Sequence, residues 1–311
     1  MGPEVFRQVL ILTGPTGSGK SQLGIELARG LDAEIISMDS MALYRGMDIG
    51  IAKPTREERA RIPHHLLDVL DPWESANVAW WLDQAGQLTQ EIESRGKRVL
   101  LVGGTPLYLK ALLFGLCDSP PGDESVRRRL EQEGEQEGQQ HLHGRLATVD
   151  PVSAARLHVN DLRRVVRALE VWELTGRPLS SWQTQWSGTE DREAVSDVPR
   201  RCLCLDLPRA TLYERINRRV ERMIEQGLVE EVQALRNLKH PLSREASQAL
   251  GYKEMFSYLE GRASLAETVA VIQKRSRHFA KRQLTWFRHL PGCTFVSPEL
   301  TFSFWGLTME R

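Results

Sequence analysis

The sequence has no apolar run approaching the roughly 20 residues that a membrane-spanning helix needs. Val9-Leu10-Ile11-Leu12 is only strand-sized. No basic segment followed by a long apolar stretch opens the chain, so no secretory signal is expected. Cysteine is scarce: Cys117, Cys202, Cys204 and Cys293 form no C-x-x-C pair and stand at no zinc-site spacing. They point to free thiols in a reducing cytoplasm, not to a disulfide framework or a structural metal. An excess of one charge is also missing. The 41 Lys+Arg balance 41 Asp+Glu, which excludes a uniformly basic protein and leaves room only for local basic surfaces. Internal repeats and low-complexity segments are absent. With 41% hydrophobic and 26% charged residues over 311 positions, the composition is that of an ordinary globular protein with one large core or two domains.

What is present is an alternation of short apolar runs and helix-sized periodic segments. Residues 8–12 read as a strand, 14–19 as a glycine-rich turn, 21–29 as a helix and 34–38 as a second strand. Residues 78–94 have helical periodicity, and 98–102 form a buried strand that stops at Gly103-Gly104-Thr105. Strands separated by helices predict βαβ units and a parallel sheet. The character changes at Ser119-Pro120-Pro121-Gly122. Beyond it, helices are predicted over 125–137, from Asp150-Pro151 onward, and over 161–175, closed by Gly176-Arg177-Pro178. A polar stretch, 188–199, leads to a strand at 201–207 and helices over 210–226, 228–238 and 265–290.

Gly14-Pro15-Thr16-Gly17-Ser18-Gly19-Lys20-Ser21 fits G-x-x-x-x-G-K-[ST]. Glycines let successive backbone N–H groups converge on phosphate oxygens. A helix opening at Lys20 adds its unpaired N–H donors and positive dipole end. Lys20 supplies a mobile charge and Ser21 a hydroxyl ligand for Mg²⁺. The loop lies between a predicted strand and a predicted helix, as the motif requires. The fold class is therefore α/β: a phosphate-loop parallel-sheet core over residues 1–120 and 200–311, with its C-terminal helices, and a helical insertion over 121–199.

A phosphate loop does not by itself choose a reaction. Many nucleotide hydrolases support Mg²⁺ with an Asp ending an apolar strand, but here the strand 98–102 runs into Gly-Gly-Thr. The strand that does lead to an acid is Ile35-Ile36-Ser37-Met38-Asp39. Asp39 then sits at the carboxyl edge of the sheet, where open α/β folds bind ligands, as a metal ligand, a general base or a simple turn carboxylate. A small-molecule or nucleoside kinase remains the alternative at this level, since it shares the loop.

Longer strings narrow the reading. In order come Gly14 to Ser21; Met38-Asp39-Ser40 with Tyr44-Arg45-Gly46-Met47-Asp48-Ile49-Gly50; Ala52-Lys53-Pro54; and Pro63-His64-His65-Leu66-Leu67-Asp68. Val102-Gly103-Gly104-Thr105-Pro106-Leu107-Tyr108, Asp161-Leu162-Arg163-Arg164 with Arg167-Ala168-Leu169-Glu170, Leu250-Gly251-Tyr252-Lys253-Glu254, and Ala280-Lys281-Arg282-Gln283-Leu284-Thr285-Trp286-Phe287-Arg288 follow. Over residues 9–289 the chain resembles the tRNA dimethylallyltransferase family, of the bacterial type that lacks an appended zinc finger. Gly17, Ile51 and Asn77 depart from the family's usual residues without removing a charged or phosphate-contacting group.

The resemblance implies transfer of a dimethylallyl group from dimethylallyl diphosphate to N6 of adenosine 37, beside the tRNA anticodon. It implies Asp39 as general base, Thr105 as a hydrogen-bonding partner of the reacting groups, and Arg219 with Lys20 and Mg²⁺ on the leaving diphosphate. It also implies tRNA contacts, on the anticodon stem-loop, by Asp39, Ser40, Met41, Ala42, Thr105, Arg127, Arg163, Arg164, Arg167, Gln248, Gly251, Tyr252, Lys253, Arg277, Lys281, Arg282 and Gln283. Independently, Lys274, Arg275, Arg277, Lys281, Arg282 and Arg288 make 271–290 basic with no acid, and such spacings share a helix face suited to phosphates. Phe279, Trp286 and Phe287 between them read as core. A monomer in the cytoplasm with no membrane partner satisfies every feature.

Overall fold

The computed structural model describes residues 3–117, 119–183 and 201–307. Its centre is a six-stranded sheet made of β1 (Leu10–Thr13), β2 (Ala33–Ser37), β3 (His64–His65), β4 (Arg98–Gly103), β5 (Cys202–Leu205) and β6 (Thr294–Val296). The order is β3-β2-β4-β1-β5-β6, and every pairing is parallel. Parallel strands require helices over both faces, so their sequences read as continuous apolar runs instead of alternating ones. β1, β2 and β5 are accordingly buried at every position. The α/β phosphate-loop fold expected from the sequence is the one observed.

On one face, Leu10, Leu12, Ile35, Leu100 and Leu203 pack against Leu23, Leu27 and Leu31 of the helix Lys20–Leu31. Burying each such side chain stabilises the fold by about 1.5–3 kcal/mol. Gly24 lets that helix lie close on β4, because a Cβ there would stand 3.0 Å from Val102 Cγ2. On the other face, the Trp81 indole N–H of the helix Val78–Ser94 donates to the Ser37 carbonyl at 3.0 Å. Farther along, the helices Arg209–Glu225 and Leu265–His289 meet through Leu212, Ile216 and Ala280.

The chain divides into two compact units, residues 1–113 with 192–311, and residues 114–191. Among the described residues the second holds helices and no strand, packed around Leu130, Leu142, Leu146, Val165, Val166 and Leu169. Asp123, Asp150 and Asp161 cap three of its helices with their side chains, and Gly176 ends the helix Leu162–Thr175 in the left-handed conformation at φ 67°. Ser119 and Pro120 are tied to this unit by the Arg167 guanidinium, which donates to Ser119 Oγ and the Pro120 carbonyl. The expected insertion limit at 199/200 and the polar stretch before it lie outside the described residues.

One expectation is corrected. Phe287 is in the core, but Phe279 and Trp286 are 37% and 39% exposed. The inward stripe of that helix is Thr268, Ile272, Ser276, Ala280, Gln283 and Phe287, a spacing of three and four that leaves Phe279 and Trp286 on the solvent side. Cys202 and Cys204 both lie in β5 and are free thiols, as are Cys117 and Cys293.

Candidate active site

Three neighbouring strands, β2, β4 and β1, each release a functional segment at the same carboxyl edge. Adjacent strands lie roughly 4.8 Å apart, so the segments are neighbours by construction. β1 feeds the phosphate loop, β2 leads two residues on to Asp39, and β4 leads two residues on to Thr105. The loop bends through positive φ at Gly17 (80°) and Gly19 (89°). A Cβ at Gly17 would also approach Ile216 Cγ1 to 2.8 Å, so the helix Arg209–Glu225 closes over the loop only because that position is glycine. Ser18 is buried, and its Oγ has no hydrogen-bond partner among the described residues.

Lys20 opens its helix and turns its Nζ back to the Pro15 carbonyl at 3.3 Å. Burial pushes its pKa down to about 8, against the pull of the Asp39 carboxylate and with a further push from Arg219. Burial likewise lowers the pKa of Arg219, again opposed by Asp39. The three charged groups therefore share one field: two cations that have lost hydration and a carboxylate opposite them. Phosphate oxygens would supply the missing counter-charge.

Arg219 reaches Thr16 Oγ1 at 3.3 Å through Nη1 and the Ile51 carbonyl at 2.8 Å through Nη2. It thereby spans the phosphate loop and the loop after β2. Asp39 accepts the Met41 N–H at 2.9 Å through Oδ1, and no partner for Oδ2 is found among the described residues. Thr105 accepts the Ser40 N–H at 3.1 Å on Oγ1, and its own N–H donates to the Met38 carbonyl. Thr105 thus ties the loop that carries Asp39 to its own.

The remaining sequence-selected residues differ in exposure, and Ser40, Met41, Arg127, Arg167 and Arg277 are intermediate. Arg163, Arg164, Gln248, Lys253, Lys281 and Arg282 are exposed. Ala42, Gly251, Tyr252 and Gln283 are buried. The Tyr252 hydroxyl donates to Glu231, and the Gln283 amide is engaged at both ends inside the protein. Arg127 and Arg167 converge on Glu170, which is fully buried and also accepts the Asp123 N–H at 2.7 Å. Arg277 is half-buried and donates to Asn217 Oδ1 at 2.6 Å.

Sequence reasoning missed two residues at the site. Arg215 donates to the Ser18 carbonyl of the phosphate loop at 3.4 Å. Its spacing of four from Arg219 puts both on one helix face, a signal that was available. Glu231 accepts the N–H groups of Asp48, Ile49 and Gly50 at 2.8, 2.8 and 3.1 Å. Nothing local in the sequence announces a contact across more than 180 positions.

A parallel α/β sheet with a phosphate loop after β1, and with a carboxylate and a hydroxyl facing it from the next two strands, defines a phosphate-loop enzyme of the group-transfer kind. Residues 42–290 match the family model described as IPP transferase. A tRNA dimethylallyltransferase of Geobacter metallireducens is 49% identical over 93% of this chain and 92% of its own. One of Geobacillus kaustophilus is 46% identical over 91% and 88%. Among solved structures, the tRNA isopentenylpyrophosphate transferase of Bacillus halodurans has a TM-score of 0.65 at 42% identity, covering 94% of this chain and 90% of that one. A eukaryotic dimethylallyltransferase acting on tRNA reaches a TM-score of 0.73 at 27% identity, with coverages of 93% and 73%. The chain belongs to the IPP transferase family and is a transferase. These likenesses favour prenyl transfer over the phosphoryl transfer weighed as the alternative.

Proposed function

We propose that this enzyme transfers a dimethylallyl group from dimethylallyl diphosphate to N6 of adenosine 37 in tRNA, releasing diphosphate. The observation that carries the reading is the shared field of Lys20, Arg219 and Asp39, with Thr105 locked beside Asp39 through Ser40. One side of the site is built for two phosphates and the other for a proton. The N6 lone pair attacks the allylic carbon, the carbon–oxygen bond breaks, and its electron pair leaves on the diphosphate. Asp39 takes the N6 proton, and Thr105 hydrogen-bonds beside the amine. The loop N–H groups, Lys20 and Arg219 stabilise the departing charge. Adenosine 37 has to leave its stack to reach Asp39.

Ser21 is exposed on the first turn of its helix, and no cluster of three His, Cys, Asp or Glu suited to a metal occurs among the described residues. This fits Mg²⁺ held by one protein hydroxyl and the donor's own phosphate oxygens, where it would add positive charge to the leaving group. The exposed Arg163, Arg164, Gln248, Lys253, Lys281 and Arg282 carry contacts to the anticodon stem-loop. No helix among the described residues is long and apolar enough to cross a membrane, and we place the enzyme in the cytoplasm as a monomer.

Incubation with dimethylallyl diphosphate, Mg²⁺ and unmodified tRNA, followed by nucleoside mass spectrometry, tests the proposal. Prenylated adenosine at position 37 is expected. Its absence, with ADP formed from ATP and an alcohol acceptor, would transfer the site to the kinase class.

A further inference from the structure

Gln283 lies in the basic helix Leu265–His289 but points away from solvent and is only 4% exposed. Its Oε1 accepts the Thr16 N–H of the phosphate loop at 2.8 Å, and its Nε2 donates to the Gly104 carbonyl at 2.6 Å. Those partners belong to the two sides of the reaction: Thr16 to the diphosphate cradle, and Gly104 to the loop that carries Thr105. The space between them is narrow. A Cβ on Gly104 would lie 2.7 Å from Gln283 Nε2, 3.0 Å from the Gly14 carbonyl oxygen and 3.3 Å from Lys20 Nζ.

Thr16 is gripped twice, at its N–H by Gln283 and at its hydroxyl by Arg219. The helices bearing these two residues are joined in turn. Arg277 donates to Asn217 Oδ1, and Gln273 donates to the Asn217 carbonyl and to Glu221. The exposed Lys281 and Arg282 immediately precede Gln283.

We infer that Gln283 is a positioning residue for group transfer: it sets the distance between the diphosphate cradle and the Asp39–Thr105 side, and it does not contact tRNA. The inference rests on the functional reading above for the reaction it serves. A primary amide is suited to this place because it offers one acceptor and one donor in a single plane. A carboxylate supplies only the acceptor, and a thioether neither. Misplacing reacting groups by a fraction of a bond length to about 1 Å costs up to roughly 100-fold in rate.

The test uses the full chain with Gln283→Met, which keeps length and bulk, and Gln283→Glu, which can donate to Gly104 only when protonated. Single-turnover prenylation at saturating substrates is measured beside dissociation constants for inorganic diphosphate and for tRNA. For Gln283→Met, the expected rate falls by about 10- to 100-fold, diphosphate binds more weakly, and tRNA affinity is unchanged. For Gln283→Glu, the rate relative to wild type recovers as pH is lowered, since only the protonated carboxyl can donate to the Gly104 carbonyl. A structural role alone would not produce that recovery. If Gln283→Met does not fold, the pH series on Gln283→Glu decides. An unchanged rate, a flat pH ratio, or a tRNA affinity loss that accounts for the rate loss would overturn the inference. A wild-type protein that makes no prenylated nucleoside would defeat the functional reading instead, and the diphosphate affinities would still show whether Gln283 holds the loop.

Discussion

The phenolic hydroxyl of Tyr252 donates to Glu231 Oε1 at 2.5 Å, and the same carboxylate gathers the N–H groups of Asp48, Ile49 and Gly50. The protein thereby supplies its own anion to a loop of converging backbone amides. The loop runs on to Ile51, whose carbonyl holds Arg219. Tyr252 is packed so tightly that a Cβ on Gly50 would lie 2.4 Å from its ring.

From this arrangement, Tyr252→Phe should lower stability by about 1.5–3 kcal/mol, the net worth of one hydrogen bond to a charged group. Glu231→Ala should cost more, because three amides lose their acceptor together. Urea unfolding of both variants measures the difference. Binding assays should find tRNA affinity in Tyr252→Phe close to wild type, since the ring is buried. A selective loss of tRNA binding in a fully stable Tyr252→Phe protein would return the residue to the RNA interface.

The basic helix makes a different prediction. Lys281 and Arg282 are exposed, whereas Arg277 is held by Asn217. Replacing Lys281 and Arg282 by alanine should reduce the log–log salt dependence of tRNA binding by roughly 1.4–1.8, at about 0.7–0.9 per phosphate contact. Arg277→Ala should instead lower the melting temperature through loss of its bond to the neighbouring helix. Filter binding across a salt series and a thermal melt separate the two effects. An unchanged slope in the double variant would make this face a solvated one.

How far these features were legible follows from where their signals lie. The parallel sheet was readable because strands buried on both faces must be apolar over their buried length, as 99–102 is. The phosphate loop and Asp39 were readable because each adjoins a strand end. Orientation around the long helix was not. Basic residues at 277, 281 and 282 look alike in sequence, and only packing against Asn217 distinguishes Arg277 from the others. Phe279 and Trp286 look like core until the inward stripe of Ile272, Ala280, Gln283 and Phe287 is seen. Gln283 and Glu231 act across contacts of more than 175 positions, which no local pattern encodes.

Lys20 should set a pH limit on donor binding. Its pKa is pushed from the ordinary 10.5 to about 8, chiefly by burial, so the free protein loses this charge as pH rises through about 8. Diphosphate affinity, measured by calorimetry, should therefore weaken above that pH, and Lys20→Met should bind poorly with a flatter profile. Stability moves in the opposite direction. Between about 8 and 10.5 the unfolded chain holds the proton and the native one does not, so this group's contribution to stability rises with pH across that window. Donor affinity that stays constant above pH 8 in the wild type would separate Lys20 from the diphosphate.

Asp39 distinguishes a transferase from a protein that merely holds RNA beside a phosphate loop. Its Oδ1 is committed to the Met41 N–H, so the turn it makes is real and does not by itself prove catalysis. Asp39→Asn keeps that acceptor and the shape of the loop, and it leaves Thr105 tied to the Ser40 N–H. What it loses is the capacity to take a proton and the negative charge that Lys20 and Arg219 feel. A positioned general base contributes typically about 10²–10⁴-fold, roughly 3–5 kcal/mol at about 1.36 kcal/mol per tenfold. The single-turnover prenylation rate at saturating substrates should fall by about that factor. Diphosphate affinity should hold or strengthen, because a carboxylate opposite the phosphates has been neutralised. Affinity for tRNA should fall less than the rate, since the exposed basic residues that meet its phosphates are untouched. A variant with nearly wild-type rates would leave Asp39 a turn carboxylate, and a comparable loss of tRNA affinity would make it an RNA contact first and a base second.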